Sequence, residues 1–233
     1  MKKQGMKRES IMLVFCLLTA CGALFAQETK PHRFEVTLNA GLNNSWGWEV
    51  EPEFFYSPFR YWGVGAGLAY TGMLEAETYS GVSSDGMLLW FFHDNRPRYA
   101  FSFRPKMKFS SPIIPLRRDA ESGFSLSLYP GLIIPFPVNP VYQIDYIPKA
   151  EQYSGPAVKV NEAQGKGART VYYSVKLQLN YHIDRDIALS LGYTLSDYDL
   201  YGGMRRLKVE GKPLELKRKQ MMHLFTLGAA YAF

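Results

Sequence analysis

The sequence predicts a closed antiparallel transmembrane β-barrel, most simply of ten strands, with eight as the alternative count. Three observations carry this. Apolar and polar residues alternate with period two through most of the chain after residue 33. After residue 26 no apolar run approaches the roughly twenty residues a membrane helix needs. Residues 224–233, LFTLGAAYAF, form a last strand with Phe225, Leu227, Ala229, Tyr231 and Phe233 on one face and mostly small residues on the other.

The chain opens with an export signal over residues 1–26. Lys2, Lys3, Lys7 and Arg8 precede an apolar stretch over 11–25, and Ala26 precedes the polar Gln27. That order is signal-peptide architecture. Cleavage after Ala26 is the preferred reading. A competing one takes Leu18-Thr19-Ala20-Cys21 as a lipobox with a lipidated Cys21. Residues 27–33 then form a short periplasmic segment before a barrel over 34–233. Removing the signal takes away Cys16 and Cys21, the only cysteines, so thiol and disulfide chemistry is excluded from the remainder. It also removes four basic residues and Glu9. That leaves 23 basic against 20 acidic residues, and the charge falls from +6 to +3. The basic pI is partly a targeting feature and gives no argument for nucleic acid.

The strands follow in order. Over 34–42, Phe34, Val36, Leu38, Ala40 and Leu42 alternate with Glu35, Thr37, Asn39 and Gly41. Over about 46–56, Trp46, Trp48, Val50, Pro52, Phe54 and Tyr56 oppose Gly47, Glu49, Glu51, Glu53 and Phe55. Over 62–71, Trp62, Val64, Ala66, Leu68 and Tyr70 oppose Gly63, Gly65, Gly67 and Ala69, glycines that suit a curved wall or close packing. Residues 87–93, MLLWFFH, are apolar on both faces and are a weak candidate. Residues 99–109 put Tyr99, Phe101, Phe103, Pro105, Met107 and Phe109 against Ser102, Arg104, Lys106 and Lys108. Residues 124–134 follow, then a second weak candidate at 141–147, where Tyr142, Ile144 and Tyr146 oppose Gln143 and Asp145. Alternation is clear again over 171–181, over 187–195 and from about 221 to the end.

Ten strands with both ends of the barrel in the periplasm place short turns at 57–61, 93–98, 135–140 and 183–186. Longer loops then fall outside at 73–86, 110–122, 148–169 and 197–220, with a short one near 43–45. Short turns inside and long loops outside are the pattern of outer-membrane barrels. Dropping the two weak strands gives eight, and moves 110–122 to the periplasmic side.

A soluble barrel would turn its polar face outward. In lipid the apolar row faces out and the charges face in. Aromatics near strand ends, Trp46, Tyr56, Trp62, Tyr70, Tyr99 and Tyr181, suit interfacial girdles. On this pattern the chain resembles the small outer-membrane β-barrel proteins of Gram-negative bacteria over essentially all of residues 27–233. Its ending resembles their C-terminal assembly signal, carried here by Tyr231 and Phe233. The resemblance implies residence in the outer membrane, outer-membrane lipid as surroundings and the barrel-assembly machinery as a partner during biogenesis.

The inward parity predicts a lumen charge network of Glu49, Glu51, Glu53, Arg104, Lys106, Lys108, Asp145 and Lys176. Unpaired buried charges are costly, so opposite ladders are expected to meet across the lumen. The function expected is a structural, adhesion or interaction role with a charge-paired, closed lumen. The alternative is a narrow porin-like channel for small polar solutes. Outer-membrane proteases of ten strands have a His–Asp pair at the rim. Asp197, Asp199 and His223 are the residues to compare, but they read better as turn and lipid-face positions, so no enzyme is expected. The four histidines are scattered and no metal or cofactor is expected. Basic residues at 148–169 and at 197–220, among them Arg205, Arg206 and Lys208, would meet an anionic outer-leaflet glycolipid or remain solvated.

Overall fold

The computed structural model describes residues 33–74, 78–93, 101–116, 122–151, 156–216 and 218–233. The export signal with Cys21, the turn at 93–98 beyond His93, and Tyr99 lie outside the described residues. In chain order the strands are β1 (Arg33–Asn43), β2 (Gly47–Phe59), β3 (Trp62–Met73), β4 (Thr78–Val82), β5 (Leu88–His93), β6 (Phe101–Ser110), β7 (Ile114–Pro115) and β8 (Gly123–Phe136). They continue with β9 (Val141–Pro148), β10 (Lys159–Gln164), β11 (Tyr172–His182), β12 (Ile187–Ser196), β13 (Lys208–Val209), β14 (Lys212–Pro213) and β15 (Met222–Ala232).

The wall is a closed ring of eight strands. Its order is β1-β2-β3-β6-β8-β11-β12-β15, and β15 pairs back onto β1. All neighbours are antiparallel, and no edge is left open in lipid, which is what a bilayer demands of a sheet. The ring closes to the end of the chain: Phe34 N–H donates to Phe233 O at 2.9 Å and Phe233 N–H to Phe34 O at 2.8 Å. Alternation does what the sequence demands. Leu38, Phe54, Leu68, Phe103, Leu177, Leu191, Phe225 and Leu227 are exposed on the outer face, while Asn39, Glu51, Arg104, Ser127 and Gln178 are buried inside.

Aromatic rings gather at both ends of the apolar band. At the end carrying Arg33 and Phe233, the near end, Phe34 stacks on Phe54 and Phe233, Phe59 meets Trp62, and Phe124 meets Tyr181. At the far end Trp48 meets Tyr70, Tyr70 meets Phe101, and Tyr193 meets Phe225. Such belts suit the two interfaces of a bilayer.

The count of ten strands is corrected to eight. β6 pairs directly with β3 and β8, and β8 with β11, so the wall has no place for either weak segment. Residues 87–93 pair instead with 141–148 as β5 and β9, inside a second sheet ordered β10-β9-β5-β4. Its strands follow the order of their chain neighbours β11, β8, β6 and β3, so half of the wall is prolonged beyond the far rim as a crown. Residues 135–140 are therefore not a periplasmic turn. The prolines at 135, 137 and 140 cannot donate to a ladder, and they interrupt a strand that resumes as β9. Residues 110–122 are not an outer loop either: Ser111 N–H donates to Leu126 O and β7 pairs with the start of β8 at the near end.

The crown has its own core. Trp90, Phe92, Tyr142, Ile144 and Tyr146 on one sheet face pack against Tyr201, Met204, Leu207 and Val209 from the connection between β12 and β15. Phe92 and Tyr142 lie 5.3 Å apart between ring centroids. The β13–β14 hairpin closes over it with a two-residue turn, Glu210 (φ 52°) and Gly211 (φ 78°), the signs that a type I′ turn requires.

Truncating the fully buried Met204 to Ala is expected to loosen the crown by about 2–5 kcal/mol while the wall stays paired. Limited proteolysis should then cut within 197–216 faster than in the parent, with the folded mobility on an unheated detergent gel unchanged. Loss of that mobility would show that crown and wall fold as one unit.

Candidate functional site

The centre of the barrel is an ion-pair network built across a glycine strand. β2 supplies Glu49, Glu51, Glu53 and Phe55 to the lumen, and β6 supplies Ser102, Arg104, Lys106 and Lys108. β3 lies between them, with Gly67 opposite Glu53 on one side and Arg104 on the other. A Cβ at Gly67 would come within 2.5 Å of Glu51 Oε1, and one at Gly65 within 2.4 Å of the Phe55 ring. Because β3 has no side chain there, carboxylates from one neighbour reach cations from the other.

The pairing is close. Arg104 grips Glu49 bidentately at 2.5 and 2.7 Å, reaches Glu51 at 3.5 Å, and donates Nε–H to Ser102 Oγ at 3.0 Å. Planar fork geometry makes such Arg–carboxylate pairs the strong ones. Lys106 donates to Glu51 at 2.6 Å and to Glu53. Thr71 donates to Glu49 at 3.1 Å and Thr37 to Glu53 at 2.8 Å. From the opposite wall Lys176 Nζ sits 3.5 Å from Glu53 Oε1 and 5.5 Å over the Tyr129 ring. Tyr129 in turn packs on Phe55 at 5.4 Å. Arg104, Glu49 and Glu53 are each no more than 3% exposed.

Lys108 pairs with Glu35 on β1, both oxygens at 2.6 Å. Glu35 has the inward parity of the first strand, the signal that identifies it as a network member, though sequence reading did not select it. With it, four cations (Arg104, Lys106, Lys108 and Lys176) face four carboxylates (Glu35, Glu49, Glu51 and Glu53). Below this layer, toward the near end, Asn180 donates to Ser127 at 2.9 Å and His182 Nε2 lies 2.8 Å from Ser125 Oγ.

Asp145 is not in the lumen. It lies half-exposed on β9 in the crown, where Gln143 Nε2–H donates to it at 2.8 Å. Its assignment to the lumen followed from treating 141–147 as a wall strand. Tyr231 and Phe233 point outward with stacked rings 6.1 Å apart. Asp199 accepts from both Nε and Nη2 of Arg205, Asp197 accepts from Tyr173 N–H at 2.7 Å, and His223 Nδ1 meets Tyr193 OH on the outer face. Among the described residues no group of His, Cys, Asp and Glu is arranged to hold a metal ion.

Two cavities flank the network. One of about 210 Å³ opens at the near end among Arg33, Glu35, Lys108, Ser125, Asn180 and His182. Another of about 260 Å³ lies at the far rim among Trp46, Tyr198, Asp199, Arg205, Arg218 and Lys219. Neither is lined by Glu49, Glu51, Glu53, Arg104, Lys106 or Lys176, which stand between them.

The crown is latched by Glu210. Its carboxylate accepts from the Ser84 hydroxyl, from Tyr146 OH at 2.9 Å and from Ser84 N–H at 3.2 Å. These bonds, the Ser84 hydroxyl first, hold the Glu210 pKa below the ordinary glutamate value. They also account for a glutamate at a positive-φ turn position that usually takes Asn, Asp or Gly.

No protein-family model matches the chain, and no curated protein matches it. Solved structures do. The chain is similar to Neisserial surface protein A at 9% identity, over 87% of this chain and 97% of that one, with a TM-score of 0.41. It is similar to the N-terminal β-barrel domain of Pseudomonas aeruginosa OprF at 9% identity, over 86% and 97%, with a TM-score of 0.40. A designed transmembrane β-barrel matches at 11% identity over 89% of this chain and 100% of its own, with a TM-score of 0.38.

Two outcomes follow from this geometry. Arg104→Met leaves the Glu49 carboxylate buried without its partner and is expected to destabilise the barrel by about 3–5 kcal/mol in urea unfolding from lipid vesicles, whereas Arg104→Met with Glu49→Leu recovers most of the loss. Equal losses in the single and double variants would show that packing, not charge, dominates there. For Glu210 the sign is that of a depressed acid. Its contribution is complete above the ordinary value of 4.5 and is lost as pH falls through the lower folded value. Amide protection at Ser84 should therefore hold from neutral pH to about pH 4.5 and fall below it. Glu210→Gln should remove that step.

Proposed function

We propose that the chain is an outer-membrane barrel that anchors and displays its crown at the cell surface, with a structural, adhesion or interaction role and no catalytic one. The observation that carries this is the pairing of Arg104, Lys106 and Lys176 with Glu49, Glu51 and Glu53 across the lumen between the two cavities. A passage for solute would need water where these side chains touch one another. In this reading residues 1–26 are removed during export, the near end faces the periplasm, and Tyr231 and Phe233 serve the assembly machinery. Outer-membrane lipid covers the apolar face. The far end, with crown and basic connections, is outside.

The narrow-channel alternative makes the opposite electrical prediction. In planar bilayers the purified protein is expected to show no stable conductance steps. Reproducible steps whose size changes in Lys106→Ala or Glu51→Gln would overturn the closed lumen. The orientation is read separately: Ser84→Cys at the crown turn should label with a membrane-impermeant maleimide on intact cells, and labelling only after lysis would reverse it.

A further inference from the structure

The far rim is uneven. On the β3–β6–β8–β11 side the wall continues into the crown. On the β15–β1–β2 side it stops, at the tight connection between Asn43 and Gly47 and at Met222. At this low rim the girdle rings Trp48 and Tyr70 lie 5.3 Å apart, and Tyr193 and His223 lie 6.0 Å apart. Trp46 is two residues beyond Trp48. It is 67% exposed and holds φ at 56°, a backbone region that bulky residues avoid.

The surroundings enforce that conformation. Asn43 Oδ1 accepts from Ser45 and Gly47 N–H, and Leu74 N–H donates to Trp46 O at 2.9 Å. Asn44 clamps the turn to the entry of β15, donating Nδ2–H to Met221 O at 3.0 Å and accepting His223 N–H at 3.1 Å. A strained, solvent-facing indole held by a stack of hydrogen bonds serves no core. Such outliers persist where the surrounding structure over-determines them, and they cluster at binding sites.

Beside it lies the cavity of about 260 Å³ that Trp46 shares with Arg205, Arg218 and Lys219. Asp199 is the carboxylate in its lining and is taken by Arg205. Arg218 and Lys219 are exposed, and among the described residues no ion pair neutralises them. The lining thus has two positive charges with no carboxylate partner among the described residues, Lys219 Nζ lying 6.0 Å over the Tyr172 ring, and an indole, one step above the aromatic girdle. That is the level of lipid phosphates, just outside the hydrocarbon. An ammonium and a guanidinium fork suit phosphate oxygens, and an indole suits the boundary between headgroup and acyl chain.

We propose that this low-rim cavity binds the phosphate of an outer-leaflet lipid headgroup, with Arg218 and Lys219 on its oxygens and Trp46 packed along the lipid below it. The outer-leaflet assignment rests on the orientation under the proposed function. The phosphate chemistry does not. Phosphate could also arrive as a free ion, and the test separates the two sources.

The purified full chain in zwitterionic detergent is titrated with bisphosphorylated lipid A, with the same lipid after phosphate removal, and with inorganic phosphate alone, and bound species are counted by native mass spectrometry. The parent should hold the phosphorylated lipid with 1:1 stoichiometry. Arg218→Gln with Lys219→Gln should weaken it roughly 30-fold, about fivefold for each cation near a lipid surface. Arg218→Lys with Lys219→Arg should retain it, as should Arg206→Gln, an exposed cation outside the cavity. Equal binding by the double Gln variant overturns the site. Equal binding of the dephosphorylated lipid by the parent overturns phosphate as its ligand. Binding of inorganic phosphate with the same variant dependence, and no retained lipid, overturns the lipid as source. None of these readings depends on which end faces the cell surface, so a reversed Ser84→Cys labelling result would move the leaflet and leave the site standing.

Discussion

The structure depends on carboxylates of β2 meeting cations of β6 across the bare face of β3. An eight-stranded wall leaves only enough interior for side chains, so every charge turned inward must find its partner inside. The Glu49–Arg104 and Glu51–Lys106 pairs do so by spanning a whole strand, and Gly65 and Gly67 make that reach possible. The same substitution of bulk for space recurs opposite: a Cβ at Gly192 would come 3.0 Å from Lys176 Cε, and one at Gly131 2.8 Å from Lys106 Cγ. Large charged side chains and glycines are placed as complements, and neither is intelligible alone.

A buried network of this kind is weak grounds for stability, because desolvation offsets most of the attraction. Its stronger consequence is register. Sliding β6 by one residue against β3 would turn Arg104 and Lys106 to the lipid and bring Phe103 and Pro105 inside. The cost of unpaired charge in hydrocarbon then forbids the slip more firmly than apolar matching could. Lys108 with Glu35 and Lys176 with Glu53 extend that constraint to β1 and β11, so four of the eight wall strands besides β3 are indexed to one another by charge.

The wall was legible in the sequence because its two faces meet opposite solvents. Period two, inward charge and outward aromatics all follow from that, and they place Glu49, Glu51, Glu53, Arg104, Lys106, Lys108 and Lys176 on the inner face. The crown was not legible in the same way. Residues 87–93 are apolar on both faces because one face packs the crown core around Trp90 and Phe92 while Phe91 on the other is also buried. A short run of that kind fits a wall strand equally well. Asp145 went astray with its strand. The partners of that core, Tyr201, Met204, Leu207 and Val209, sit among the arginines and lysines of 197–220, where the charges draw attention from the apolar spacing of three over Tyr201, Met204 and Leu207.

The consequence is a division of labour along the barrel axis. The middle layer holds the paired charges, which close the lumen in the function proposed above, and the near-end cavity lies to one side of it among Ser125, Asn180 and His182. On that proposal, chemistry that must reach a partner is left to the two parts that leave the wall: the crown on one half of the rim and the low cationic edge on the other. They are not independent. The connection between β12 and β15 gives Met204, Leu207 and Val209 to the crown core and, further along, Arg218 and Lys219 to the rim cavity. Arg205, locked to Asp199, follows Met204 within the crown-core stretch and lines that same cavity. A crown that packs well therefore fixes where the basic edge lies, because one segment, already committed at its apolar positions, carries both.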